Sequence, residues 1–417
     1  MKRTDTVIVG AGQAGLAMSR CLSDLGIDHV VLERGRVAER WRSERWDSLR
    51  LLTPNWQSRL PGFRYDGPEP DGFMTRGEVI GFFERYAISF AAPVEPETTV
   101  LDVSPASSGF RVSTTSGVWT ARTVVIATGH CDVPFVPGAA ARLPGHIHQV
   151  TPCGYRNPDQ LPPGLVLVVG ASASGIQLAE EILASGRPVT LATGSHTRVP
   201  RQYRGRDIMW WLDRAGVLDE TAEQVYDLDI SRDQPSLQLV GGPAGATLNL
   251  PVLQERGVQV VGRMVSAGQD GVTFADDLVA TTAAADVKLA ALLKRLDSFA
   301  VHDGMSGALD RDEPFEPSWP SFIEAPAPRY LRAGDIGTVV WATGFRRRYP
   351  WLKAPVLDRR GEIRHAGGVT PCPGLYVIGL QFLRKRNSNF IDGVGADAVA
   401  LAAQIDGYLA RPQEAIA

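Results

Sequence analysis

One arrangement of apolar and polar positions occurs twice along the chain. The apolar run Val7-Ile8-Val9 leads into Gly10-Ala11-Gly12-Gln13-Ala14-Gly15. Apolar residues then recur at helical spacing through Ala14, Leu16, Ala17, Cys21 and Leu25, Gly26 stops the helix, and His29-Val30-Val31-Leu32 reads as a second strand. Further on, Leu165-Val166-Leu167-Val168-Val169 leads into Gly170-Ala171-Ser172-Ala173-Ser174-Gly175, and Val189-Thr190-Leu191-Ala192 follows as the next strand. Each stretch predicts strand, glycine turn, helix and strand, the βαβ unit of a doubly wound sheet. The closing strands match as well: Val124-Val125-Ile126-Ala127-Thr128-Gly129 and Val339-Val340-Trp341-Ala342-Thr343-Gly344 share an Ala-Thr-Gly ending, an internal repeat.

The remaining pattern fills in around these units. Thr75 to Tyr86 reads as a helix, with Glu78 completing a capping box. Alternation at Phe110–Ser113 and Gly117–Thr120 predicts an antiparallel hairpin or meander. Residues 34–75 read as ordered loops, and proline-rich segments at 133–145 and 158–163 mark the crossing between units. Leu375–Gly379 reads as a late strand, and about Gly395 to Leu409 as an amphipathic helix folding back on the first unit. The expected fold class is α/β, with two doubly wound dinucleotide-binding domains, the second inserted into the first. The expected limits are 1–157 with 331–417 for the first domain and 158–330 for the second.

With 417 residues, 44% hydrophobic and 21% charged, the chain can bury two or three cores. A net charge of −3 points to neither a nucleic-acid nor a membrane partner. Cys21, Cys131, Cys153 and Cys372 form no C-x-x-C pair, which argues against a redox dithiol, a zinc knuckle or a disulfide-stapled secreted fold. His146, His148 and Cys153 lack the spacing of a metal site, so no metal is expected. No apolar run approaches the roughly 18 residues of a membrane span. Lys2-Arg3 before an apolar stretch imitates an export signal, but Asp5 and the glycine turn explain that segment better. A cytoplasmic location is expected, and a homodimer is left open.

The glycine turns carry the chemistry. Gly12 lets a pyrophosphate approach the backbone at a helix N-terminus, where amide groups and the helix dipole favour negative charge. Glu33 stands as far after Gly10 as Thr193 stands after Gly170. A carboxylate at that place hydrogen-bonds a ribose 2′-OH, whereas a small neutral residue with cations beyond it leaves room for a 2′-phosphate. The reading is FAD in the first unit, with Arg34 beside Glu33, and NADPH in the second. There Ser172 and Ser174 stand in the turn, and Ser195, Arg198, Arg201 and Arg204 follow Thr193. The second turn does not satisfy G-x-S-x-G, so no hydrolase is implied.

On these motifs the chain resembles the class B flavin-containing monooxygenases, in which one polypeptide binds FAD and NADPH. It looks closest to a bacterial branch that is also similar to the plant YUCCA enzymes. Further carriers are Ala38-Glu39-Arg40-Trp41-Arg42, Ser48 to Pro54 and Phe390-Ile391-Asp392-Gly393-Val394-Gly395. The resemblance implies cofactor-binding positions at Arg40, Trp41, Thr128, Gly129, Thr343, Gly344 and Asp392, with Trp41 near the flavin ring. It also implies transfer of one oxygen atom from O2 to a small organic substrate through a C4a-(hydro)peroxyflavin. Thr53 or Asn55 stands where relatives place a group that orients the oxygenated flavin. The N-terminal end of the last helix, Asp392 to Ala396, would face the flavin pyrimidine.

The sequence departs from the family in its signature. Leu143-Pro144-Gly145-His146-Ile147-His148 and the later Tyr155 only approximate F-x-G-x-x-x-H-x-x-x-[YFW], and the Baeyer–Villiger form is absent. Leu380 stands where disulfide-reductase cousins carry an aspartate. Trp41 and Trp46 flank polar residues and read as a lining loop. Trp210-Trp211 reads as core or as a tunnel wall, and Arg384-Lys385-Arg386 as a solvated loop. Two alternatives stay open: an NADPH-dependent reductase or oxidase without oxygen insertion, and a non-enzymatic redox flavoprotein.

Overall fold

The computed structural model describes residues 1–242, 246–305, 307, 315–318 and 327–411. Two sheets organise them. In the first, the strands run in the order Val94–Glu95, His29–Leu32, Lys2–Val9, Gly117–Ile126, Gly109–Thr114 and Val100–Ala106. The sequence patterns at 117–120 and 124–126 merge into one strand, Gly117–Ile126, with two kinds of partner. Its first half pairs antiparallel with Gly109–Thr114, and its second half pairs parallel with Leu375–Val377. Its burial changes at the same place, from alternating to continuous. An antiparallel meander needs only one covered face, whereas parallel strands flanked by helices are covered on both.

The second sheet is all parallel, in the order His148–Val150, Ile336–Trp341, Leu165–Val169, Val189–Ala192 and Gln259–Val261. This pairing moves the expected limits of the second domain. His148–Val150 lies before 158 and Ile336–Trp341 lies beyond 330, yet both belong to its sheet. Near the crossing, Val133–Pro134 pairs antiparallel with Phe345–Arg346, so the two strands that connect the units lie side by side. The Arg346 guanidinium stacks over Phe135 at 3.9 Å.

Helix boundaries follow local chemistry. Gln13–Asp24 ends before Gly26, whose φ of +68° no side-chain-bearing residue adopts cheaply. Arg76–Ser89 starts on the Thr75–Glu78 capping box, with both reciprocal hydrogen bonds present. The last helix spans Val394–Leu409 and buries Val394, Ala398, Leu401, Ala402 and Ile405 in the core of the first unit. A 25-residue helix, Leu278–His302, is inserted in the second unit between the strands Gly271–Phe274 and Tyr330–Arg332. It helps to bury Trp211, which is core and donates its indole N–H to the Tyr203 carbonyl at 2.7 Å. Trp46 is buried in the core of the second unit rather than lining a loop. Trp41 is half-buried and packs against the cores of both units.

Candidate active site at the junction of two dinucleotide units

The two glycine turns have one geometry. Gly10 and Gly170 adopt φ of +107° and +108°. A Cβ on Gly15 would strike the Gly10 carbonyl oxygen, and one on Gly175 would strike that of Gly170, so helix and turn touch backbone to backbone. Gly12 differs. It sits in extended conformation at the helix N-cap, and a Cβ there would meet nothing within 4 Å. Neither Gly12 nor Ser172 supplies a side-chain cap, and neither helix has an acid in its first turn. The first amides of both helices therefore suit an anionic ligand. Space and donors together fit a pyrophosphate.

Beside the first turn, the buried Glu33 carboxylate accepts from the Ala11 amide at 2.7 Å and from the Gly35 amide at 3.0 Å. These bonds fix the turn and hold the carboxylate at the strand end. An open cleft of about 510 Å³ adjoins it, lined by Arg34, Gly35, Arg36, Glu39, Ser43, Glu44 and Glu97. Arg34 lies in its wall, paired with Glu44 at 2.7 Å. Arg40 joins Glu44 to Asp132, just beyond Thr128 and Gly129, at 2.9 and 2.7 Å. Gly129 and Gly344 both adopt positive φ, and the Thr343 hydroxyl donates to the Phe135 carbonyl.

The residues expected to orient the oxygenated flavin separate in the structure. Asn55 is buried and both polar atoms of its side chain are bonded: Nδ2 donates to the Glu69 carbonyl at 2.9 Å, and Oδ1 accepts from the Met74 amide at 2.7 Å. It shapes the 69–74 loop rather than facing a ligand. Thr53 is half-buried, next to Leu52, whose carbonyl accepts from the buried Arg201 of the second unit at 2.7 Å. Arg201 also pairs with Asp207 and lies over Phe73 at 4.4 Å. The segment carrying Thr53 is thus docked on the second unit.

Asp392 and the last helix also depart from expectation. Asp392 takes a two-point contact from Arg59, at 2.5 and 2.8 Å, which ties the 55–61 segment to the start of the last helix. In the first turn of that helix lies Asp397, buried and with its carboxyl pushed up to about 6 by desolvation. The positive helix end therefore already carries acidic groups. Around this clamp stand buried polar atoms without protein partners: both amide atoms of Gln57, Ser58 Oγ, and the side-chain oxygens of Asn387 and Asn389. Gln13 donates to the Asn389 carbonyl at 2.8 Å, which brings the first glycine helix to the same place. Unsatisfied buried polar groups are costly, and a polar ring system seated there would satisfy them. Sequence reading missed these residues because burial, not residue type, makes them informative.

In the second unit Thr193 is fully buried and its hydroxyl has no partner. Ser195 is exposed at the strand end. Arg198, expected to meet a phosphate, points inward instead. It donates through Nε to Asp286 at 2.6 Å and to the Glu316 carbonyl, and it stacks on Phe315 at 5.5 Å. Its two-residue strand, Thr197–Arg198, lies against the inserted helix, which supplies the carboxylate. Arg384-Lys385-Arg386 is likewise no free loop: Lys385 pairs with Asp219 at 2.7 Å and Arg386 with Glu220 at 2.5 Å.

A pyridine nucleotide-disulphide oxidoreductase family model matches residues 7–212. An uncharacterized CzcO-like oxidoreductase of Geobacillus kaustophilus is 32% identical over 397 residues, which cover 94% of this chain and 96% of that protein. A probable indole-3-pyruvate monooxygenase of Arabidopsis thaliana, YUCCA9, is 29% identical over 231 residues, about half of each chain. A flavin-containing monooxygenase from Stenotrophomonas maltophilia has the same fold, with a TM-score of 0.68 at 20% identity, covering 98% of this chain and all of that one. The chain belongs to the CzcO-like oxidoreductases and shares its fold with the flavin-containing monooxygenases.

Proposed function

We propose that the protein is an NADPH- and FAD-dependent monooxygenase that inserts one oxygen atom from O2 into a small organic substrate. The observation that carries this reading is the duplicated glycine turn, with Glu33 at the strand end of the first unit and Thr193 at the equivalent place of the second. One site is built for a free ribose hydroxyl and the other is not.

FAD, when bound, supplies the chemistry that joins two-electron reduction to O2. The chain's own residues supply the rest. Gly10, Gly12, Gln13, Ala14 and Gly15 cradle the pyrophosphate, and Glu33 with Arg34 holds the adenosine end. Trp41, Thr128, Gly129, Gln57 and Asn387 surround the ring system with Arg40 behind them. Gly170, Ser172, Ser174, Gly175 and Ser195 take the second nucleotide. Thr343 and Gly344 close its sheet next to the crossing strands. Thr53 lies where the units meet and orients the reacting end of the flavin. Exclusion of water from the junction, with both nucleotides seated, would protect the reaction.

Anaerobic mixing of the FAD-loaded enzyme with NADPH or NADH tests the coenzyme half of this reading. NADPH is expected to reduce the flavin at least about 10-fold more efficiently, the discrimination given by one hydrogen bond to a charged group. Equal efficiency overturns the NADPH assignment.

A further inference from the structure

The inward turn of Arg198 leaves the strand end of the second unit without its expected cation. The sheet register supplies another. Ala192 pairs with Val261 in the second unit, as Leu32 pairs with Glu95 in the first. The next backbone bonds agree: the Thr193 amide donates to the Val261 carbonyl at 2.9 Å, and the Glu33 amide to the Glu95 carbonyl at 3.1 Å. Counting two residues past each pair sets Gly194 beside Arg263 and Arg34 beside Glu97.

Glu97 lines the cleft next to Glu33, so this is a position that faces the nucleotide edge of the sheet. In parallel sheets ligands bind outside the carboxyl ends of the strands. Between the two units both flanking residues change together, Glu33 to Thr193 and Glu97 to Arg263. Two acids become a neutral residue and a cation.

The side chain confirms the register. A Cβ on Gly194 would lie 3.9 Å from Arg263 Nε, so the guanidinium borders the turn after Thr193. The Arg263 side chain is 59% exposed, and its carboxylate neighbour, Asp277 Oδ2, stands off at 3.8 Å. The other Asp277 oxygen accepts from the Arg263 amide at 2.9 Å and anchors the backbone. Arg263 thus has a fixed base and a head open to solvent. Arg198, by contrast, has only 8% of its side chain exposed and is held in its ion pair. Gly194 has no side chain to separate Arg263 from a ligand at this strand end, and the exposed Ser195 hydroxyl lies on the same rim.

We infer that Arg263, not Arg198, receives the 2′-phosphate of the coenzyme and sets the choice of NADPH over NADH. This rests on the NADPH reading above and names the residue that carries it. Guanidinium forks suit phosphate oxygens.

The test uses the FAD-loaded enzyme and two probes that differ only in the 2′-phosphate, 2′,5′-ADP and 5′-AMP, titrated calorimetrically. The wild type is expected to bind 2′,5′-ADP on the order of 10-fold more tightly, as one charged hydrogen-bond pair allows. Arg263→Ala is expected to abolish that difference with 5′-AMP binding unchanged, and Arg263→Lys to restore part of it. Preserved discrimination in Arg263→Ala overturns the role of Arg263 and leaves the NADPH reading standing. Equal loss for both probes places Arg263 on the shared part of the nucleotide and also overturns it. A wild type that does not discriminate overturns the NADPH reading itself. The exposure of Arg263 makes misfolding a poor explanation for any loss, and an unchanged melting temperature checks this.

Discussion

Arg198 and Asp286 form a buried ion pair, Nε to Oδ1 at 2.6 Å, that ties the end of the nucleotide strand region to the inserted helix. Asp286 also accepts from the Ser318 amide and hydroxyl, at 2.6 and 3.0 Å, so the carboxylate is surrounded by donors. Removing one partner of such a pair leaves the other charge buried and uncompensated, at about 3–5 kcal/mol. Arg198→Ala is therefore expected to lower the melting temperature sharply and to leave the NADPH-to-NADH preference of the remaining folded enzyme unchanged. A stable variant with altered coenzyme preference would return Arg198 to the phosphate site.

Gly12 and Gly15 predict opposite outcomes for one kind of substitution. A Cβ at Gly12 meets open space in an extended backbone conformation, whereas a Cβ at Gly15 strikes the Gly10 carbonyl. Gly12→Val is expected to yield a folded apoprotein that does not retain FAD, because the added bulk fills the pyrophosphate approach. Gly15→Val is expected to lose the fold. Thermal unfolding of the apoproteins, with FAD content after purification, separates the two. A yellow Gly12→Val protein would contradict the placement of the pyrophosphate.

Much of this was legible in the sequence because it depends on local pattern. The two glycine turns, the capping box at Thr75 and the meander before Ile126 are set by residues close in the chain, and the structure has them where periodicity put them. The membership of His148–Val150 in the second sheet was not, because which sheet a strand joins depends on its partner and not on its own residues. The site divides in the same way. Glu33 follows from spacing alone. The inward turn of Arg198 requires Asp286, far away in sequence on an inserted helix. Asn55 and Gln57 look alike as polar loop residues, and only their hydrogen bonds show one satisfied and the other not.

Thr53 and Asn55 are expected to part company when replaced. Asn55→Ala loses two buried hydrogen bonds, worth on the order of 2–4 kcal/mol with the groups left unsatisfied. It should lower stability and disturb the 69–74 loop. Thr53→Ala should leave the melting temperature nearly unchanged and raise the fraction of NADPH lost to hydrogen peroxide. Hydrogen peroxide yield per NADPH, measured beside thermal unfolding, checks both.

Asp397 gives a stability profile with a defined sign. Burial raises its carboxyl from 3.8 to about 6, so the folded protein holds a proton that the unfolded chain has released. The contribution of Asp397 to stability is therefore greatest below about pH 4, falls as the pH rises to about 6, and is constant above that. At ~1.4 kcal/mol per pKa unit the full cost is on the order of 3 kcal/mol at neutral pH. Asp397→Asn is expected to flatten this part of the profile and to raise stability at pH 7 relative to the native protein. Denaturant midpoints between pH 4 and 7 measure it, and an unchanged slope in the variant would show that Asp397 is not the group responsible.

In the proposed function the junction of the two units directs reduced flavin and O2 toward oxygen insertion. This is tested most directly by reducing the FAD-loaded enzyme anaerobically with NADPH, mixing it with O2 and following the spectrum by stopped flow. A transient absorbance belonging to neither reduced nor oxidised flavin is expected, followed by return of oxidised FAD. A single-phase return to oxidised FAD with stoichiometric hydrogen peroxide, even with NADP⁺ bound, would contradict it.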